Sequence, residues 1–333
     1  MKKQVGIFCV TLLLFVWATK AQDIHFSSLN FNPMFSNPSM TGFMNSKLRV
    51  SSIFRNQWQS VSKGYNTFLA SLEFQPYLSR NNKRGFGVGF CFVNDVAGEL
   101  SYGEKDISLN IAYFFAINRE KSAFVSVGAS VGRKNWGYDL SNASFNRTGT
   151  YDDNITFDEL HTWDFSLGTS LQYNITEKKQ LNIGFALFNI NESKLGYFET
   201  SDKNTKINRR YSTNISYLHD VSDRISIRPQ ILYNNQHKYN ELVYGTDFVF
   251  DLTGGIFNQQ FFSVGLFARN VEAIIISPKY KFNNFLAGIS YDVNISGLSK
   301  VSHTYGAIEF WLSYAFSPYN VKYKNNKIPC PIF

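Results

Sequence analysis

Cysteine and long apolar runs are both scarce in this chain of 333 residues. Its three cysteines, Cys9, Cys91 and Cys330, are too few and too far apart for a disulfide framework. Past the N-terminal leader no apolar stretch reaches the roughly 18 residues of a membrane-crossing helix, which excludes a helical membrane protein. The five histidines show neither HExxH nor paired spacing, so zinc has no ligand set here. There is no glycine-rich phosphate loop; Gly85, Gly87 and Gly89 merely alternate along one run. No Ser–His pair stands out among the many serines. An enzyme is therefore not expected, and no cofactor is implied. The formal charge of +8 falls to +5 without Lys2, Lys3 and Lys20. That surplus contains no basic block with interleaved aromatics, so nucleic acid is not an expected partner. Nor is there a Pro/Gly/Ser linker or a shift in composition between halves, and one domain is the simpler reading.

What the chain does have begins at its N-terminus. Lys2 and Lys3 precede an apolar run from Val5 to Ala18, and Thr19 and Ala21 fit a small-residue cleavage site. Residues 1–21 therefore read as a secretory signal peptide, with Gln22 as the new N-terminus. Cys9 lies inside that run and lacks the context of a lipidated cysteine. The ending Cys330-Pro331-Ile332-Phe333 has the outline of a prenylation box, but an exported chain never meets that enzyme.

The rest of the chain repeats one pattern about fourteen times: runs that alternate between apolar and polar or small residues. Ile107, Leu109, Ile111, Tyr113, Phe115 and Ile117 share one face of such a run, and Asp106, Ser108, Asn110, Ala112 and Ala116 the other. Period two is a strand signature, because successive side chains point to opposite faces. Strands of this length with one oily and one wet face are what a transmembrane β-barrel requires. The runs fall at 47–57, 65–76, 85–96, 104–117, 123–136, 161–174, 181–190, 210–219, 225–234, 241–251, 260–269, 272–281, 284–294 and 304–316. The fold class expected is all-β, a closed antiparallel transmembrane barrel. Residues 22–46 form an N-terminal segment outside or inside the barrel mouth, 47–316 the barrel, and 317–333 a C-terminal periplasmic tail. The longest connections, 137–160 and 191–209, join alternate pairs to the short ones, as long outer loops and short periplasmic turns do. The barrel is expected in the outer membrane, among its lipids, with both termini in the periplasm.

Several residues stand out for function. On the first run, Arg49 and Arg55 share the face opposite Leu48, Val50 and Phe54, and so point inward. Glu73, Asp292 and Glu309 also fall on inner faces. The first and last strands must pair to close a barrel, so these five residues lie on four neighbouring strands. They are expected to form one charge network across the seam, either plugging the lumen or contacting a ligand. The exit of the first strand reads Arg55-Asn56-Gln57-Trp58, a candidate cargo-binding rim, with Trp58 equally suited to an interfacial aromatic girdle. Asp152, Asp153, Asn154, Asp158 and Glu159 crowd the longest loop; a solvated loop explains them better than calcium, and no metal site is expected.

Taken with Gln22-Asp23-Ile24-His25-Phe26-Ser27, Asn32-Pro33, Asn37-Pro38-Ser39-Met40-Thr41-Gly42, Ser290-Tyr291-Asp292 and the run from Gly306 to Tyr314, the Arg-Asn-Gln-Trp element resembles the PorP/SprF family of type IX secretion system membrane proteins of Bacteroidetes. The resemblance spans the whole mature chain. It implies a non-enzymatic outer-membrane barrel that assists secretion or surface attachment, in some members for gliding motility. Its implied partners are the C-terminal sorting domain of a secreted cargo adhesin and periplasmic components of the secretion system. A passive diffusion porin is the alternative, and would need an open lumen with sorted charge.

Overall fold

The computed structural model describes residues 24–29, 31–59, 64–79, 83–98, 101–118, 120, 122–137, 160–176, 179–194, 206–252, 260–297 and 299–316. The expected leader, the acidic loop cluster, Cys330 and the C-terminal tail lie outside them.

Fourteen strands account for most of the chain. They are β1 (Leu48–Gln57), β2 (Tyr65–Leu78), β3 (Arg84–Ala97), β4 (Tyr102–Ala116), β5 (Ala123–Gly137), β6 (Leu160–Thr176), β7 (Lys179–Phe188), β8 (Arg210–Asp220), β9 (Ile225–Gln236), β10 (Tyr239–Asp251), β11 (Gln260–Arg269), β12 (Ala273–Phe282), β13 (Phe285–Asn294) and β14 (Tyr305–Phe316). Each end falls within two residues of the run read from the alternation. Every strand pairs antiparallel with its sequence neighbours, and β1 pairs with β14 to close the barrel. Closure leaves no sheet edge, so the backbone polar groups of the wall are paired within it. The ladder slips where β2 carries Pro76, which has no N–H to donate.

The faces sort as the pattern requires. Val50, Leu72, Leu109, Phe165, Ile231 and Phe310 are exposed on the outer face, while Arg49, Ser51, Glu73, Asn110, Ser166, Gln230 and Glu309 are buried on the inner one. No helix among the described residues is long and apolar enough to cross a membrane; the strands do the crossing.

The lumen is filled. The N-terminal segment runs inside it rather than outside the mouth. Two Asn-Pro pairs build its turns: Asn32 caps helix α1 (Pro33–Ser36), accepting from the Phe35 amide, and Asn37 caps a 3₁₀ turn (Pro38–Met40), accepting from Ser39. Proline suits the first position of each because its missing N–H would go unpaired there anyway. Phe31 and Met34 pack against Ile53, Leu69, Cys91, Val93 and Trp311 of the inner wall. Phe43 packs on Phe114 and Phe124 nearer the short turns. The wall makes room with glycine. A Cβ on Gly87 would collide with the Thr41 backbone, and one on Gly168 with the Asn37 side chain. Polar contacts fix the turn in place: Asn37 Nδ2 donates to the carbonyl of Thr169 (3.1 Å) and Asn32 Nδ2 to Ser71 Oγ (2.8 Å).

Candidate functional site

The charged inner residues do not form one network. Arg49 and Arg55 share a face but stand six residues apart, about 20 Å along an extended strand, and the structure divides the expected seam network into two clusters. At the short-turn end Arg49 pairs with Glu73 directly opposite on β2, Nη2 to Oε1 at 2.6 Å. The second oxygen of Glu73 accepts from the amide of Gly42, and Gln75 Nε2 donates to the carbonyl of Met44. This cluster holds the C-terminal end of the plug.

The second cluster lies at the long-loop end. Arg55 on β1 faces Glu309 on β14 in register, with Nη1 to Oε1 at 2.5 Å. It also reaches Asp292 on β13, at 3.4 Å. Asp292 in turn accepts from Arg269 on β11 at 2.8 Å, and Arg269 Nε lies 3.1 Å from Glu241 on β10. Asn234 Nδ2 donates to the other oxygen of Glu241. The plug closes the circuit. The amides of Ser27 and Ser28 donate to the two oxygens of Glu309, at 2.6 and 3.1 Å. Ser27 Oγ donates to Asp292 and accepts from both Arg55 and Arg269. These buried charges are thus tied to opposite charges and to hydrogen-bonding groups, the condition under which burial is tolerable. His25 on the plug sits among them with its pKa lowered to about 4. Burial is the chief cause, reinforced by Arg269 and Arg55 and opposed by Glu241 and Asp292. The ring is therefore neutral at pH 7.

Arg269 and Glu241 join the site but were not singled out in the sequence. Both sit on inner faces by alternation, and that signal was present. Their level in the lumen was not readable without the register. A third buried cluster, with Lys279 Nζ 2.6 Å from Asp247 Oδ1, lies elsewhere on the wall, with Gln230 donating to the other oxygen.

The rim residues separate from this cluster. Gln57 touches it, its Oε1 accepting from Arg55 Nη2 at 3.2 Å. Asn56 turns to the outer face and donates to Asn66. Trp58 leaves the strand half-buried, with φ of 67° and its amide bonded to the carbonyl of Gly306. A bulky residue in the left-handed region is uncommon and marks a tightly specified turn. Among the described residues no group of histidine, cysteine, aspartate and glutamate is placed to hold a metal.

Two cavities flank the plug. One lies toward the long loops and is floored by Ile24, Met34 and Phe35. Glu104, Asp106, Lys134, Asp164 and Arg210 line its walls. The other lies between Asn37 and the amide-rich inner faces of β6–β9, including Gln172 and Asn182. The described N-terminal end, at the level of Arg55, and Phe316, paired with Leu48, stand at opposite ends of the barrel.

Comparison with known proteins places this geometry. Residues 18–314 match the family described as type IX secretion system membrane protein PorP/SprF. No curated protein matches the chain. Among solved structures, the CymD monoaromatic hydrocarbon channel is similar at a TM-score of 0.50 and 11% identity, with 87% of this chain and 94% of that one covered. A deltaS2 mutant of the TodX monoaromatic hydrocarbon channel gives 0.50 and 10%, over 86% and 94%. The toluene transporter TbuX of Ralstonia pickettii gives 0.48 and 11%, over 85% and 93%. At such identities the likeness is one of fold alone.

Proposed function

Because the chain belongs to the PorP/SprF family of type IX secretion system membrane proteins, we propose that this outer-membrane barrel serves secretion without catalysis, by engaging a short C-terminal segment of a cargo protein at its long-loop mouth. The observation that carries the reading is the cavity above the plug. It is floored by plug residues and walled by charges of both signs. A lumen filled in this way is too narrow for a folded domain, yet it offers an extended segment both charged and aromatic contacts. Arg210, stacked over Phe188 at 4.2 Å, is a suitable anchor, since arginine and aromatic groups dominate peptide-capture sites. The Arg55–Trp58 edge contributes the adjoining rim. The long-loop end faces the exterior and the short-turn end the periplasm, where periplasmic components of the secretion system would meet it. The plug also argues against free diffusion of solutes.

Deleting the gene should abolish surface display of one or a few partner proteins and spare general type IX secretion, as read by surface proteomics of deletion and complemented strains. Loss of every secreted protein would assign the barrel to the core machinery instead. Unchanged secretion with slower uptake of small solutes would favour a porin.

A further inference from the structure

We propose that the outer face of β4, β5 and β6, at its long-loop end, binds the phosphate of a glycolipid of the outer leaflet. The proposal rests on the orientation adopted above, with the long loops outside. On β4 the outward apolar positions run from Ile117 up to Ile107. Ten residues span about 34 Å along a strand, and a tilt of about 40° turns that into the roughly 25 Å of a barrel's apolar band. The next outward position, Lys105, therefore stands at headgroup level.

Lys105 is not alone there. In the ladder it faces Asn135 on β5, which faces His161 on β6. One step inward, Ile107 faces Arg133, which faces Trp163. All of Lys105, Arg133, His161 and Trp163 are exposed. Arg133 lies over the Trp163 ring at 5.8 Å, and His161 Nδ1 lies 2.7 Å from Asn135 Oδ1. Trp163 at the end of the apolar band is an interfacial aromatic in the ordinary sense. Lys105 and Arg133 are diagonal neighbours, roughly 7 Å apart, close enough to converge on one phosphate group.

Charge is sorted across this stretch of wall. Glu104, Asp106 and Asp164 point into the lumen, and Lys134 pairs there with Glu104 at 3.2 Å. The other cations of these strands, Lys105 and Arg133, point outward, and among the described residues neither forms an ion pair. On β1, β2, β9, β10 and the β11–β12 turn the corresponding outer-end positions are uncharged: Asn56, Asn66, Tyr233, Asn240 and Asn270. A cation facing lipid is tolerated only near the interface, and an acyl-chained ligand with an anionic head satisfies both halves of this surface. Its chains would lie along Leu109, Val131 and Phe165, and its phosphate between Lys105 and Arg133.

The test is native mass spectrometry of the full-length protein in detergent micelles with diphosphoryl lipid A. The double variant Lys105→Gln/Arg133→Gln should bind about tenfold more weakly, as should wild type offered lipid A stripped of its phosphates. Arg133→Lys, which keeps the charge, should retain most of the binding. Each variant is first shown to be a folded barrel by its gel mobility with and without boiling. Binding by the double variant within about twofold of wild type would overturn the proposal. So would equal affinity for phosphatidylglycerol, which would make the patch a general anionic one. No cargo is present in this measurement, so its failure and the failure of the cargo reading are separable.

Discussion

Arg55 shows how a single side chain can serve both wall and plug. It bonds Glu309 across the β1–β14 seam and Ser27 inside the lumen. Removing either member of such a buried pair leaves an uncompensated charge and costs about 3–5 kcal/mol. Glu309→Ala has a further cost, because the Ser27 and Ser28 amides lose their acceptor. Arg55→Ala and Glu309→Ala should each destabilise the barrel strongly, and the double variant should cost clearly less than their sum. Urea unfolding in detergent measures it; strict additivity would remove the coupling. The sequence placed both residues on the inner face, because alternation assigns faces without ambiguity. The six-residue spacing of Arg49 and Arg55 already sets them about 20 Å apart, but the sequence could not place Arg269 beside Asp292. Alternation says nothing about height in the lumen, which only the stagger of neighbouring strands fixes.

At the scale of elements, the strands were legible and the plug was not. Every strand has the period of two, whereas residues 24–46 make two short capped turns whose stability comes from the wall around them. The signal was on the wall. Ile53, Leu69, Val93 and Trp311 are apolar on a face that should be wet, and apolar groups on both faces of a strand mean that something covers the inner one. Glycine gives the matching signal in shape, as at Gly168, where the Asn37 side chain approaches the strand. Gly168→Val should therefore dislodge the plug while leaving the barrel closed. In planar bilayers the variant should conduct ions where wild type is nearly silent; equal conductance would mean that the plug does not seal.

For the molecule as a whole, the closed wall dominates. Each of its strands is hydrogen-bonded to a neighbour on both sides, so detergent has no edge from which to open it. Unboiled protein should migrate differently from boiled protein in a gel, and it should fractionate with outer membranes. Equal mobility in both samples would contradict closure. The plugged lumen and the oily exterior divide the available surface. Recognition of soluble partners falls to the rims and loops, and the wall is left to lipid.

The plug precedes the barrel in the chain, but its N-terminal end is clamped by the last strand. Ser27 and Glu309 are 282 residues apart in sequence, so the clamp cannot form until synthesis and strand addition are complete. Closing so long a loop is entropically costly and slow. Pairing β14 with β1 therefore also completes the clamp on the N-terminal end of the plug. Until then the nascent sheet has two free edges, and the Ser27–Ser28 end of the plug lacks its Glu309 acceptor. A chain stalled one strand short would be at once leaky, sticky and a target for proteolysis, which gives the cell a sharp criterion for telling finished barrels from unfinished ones.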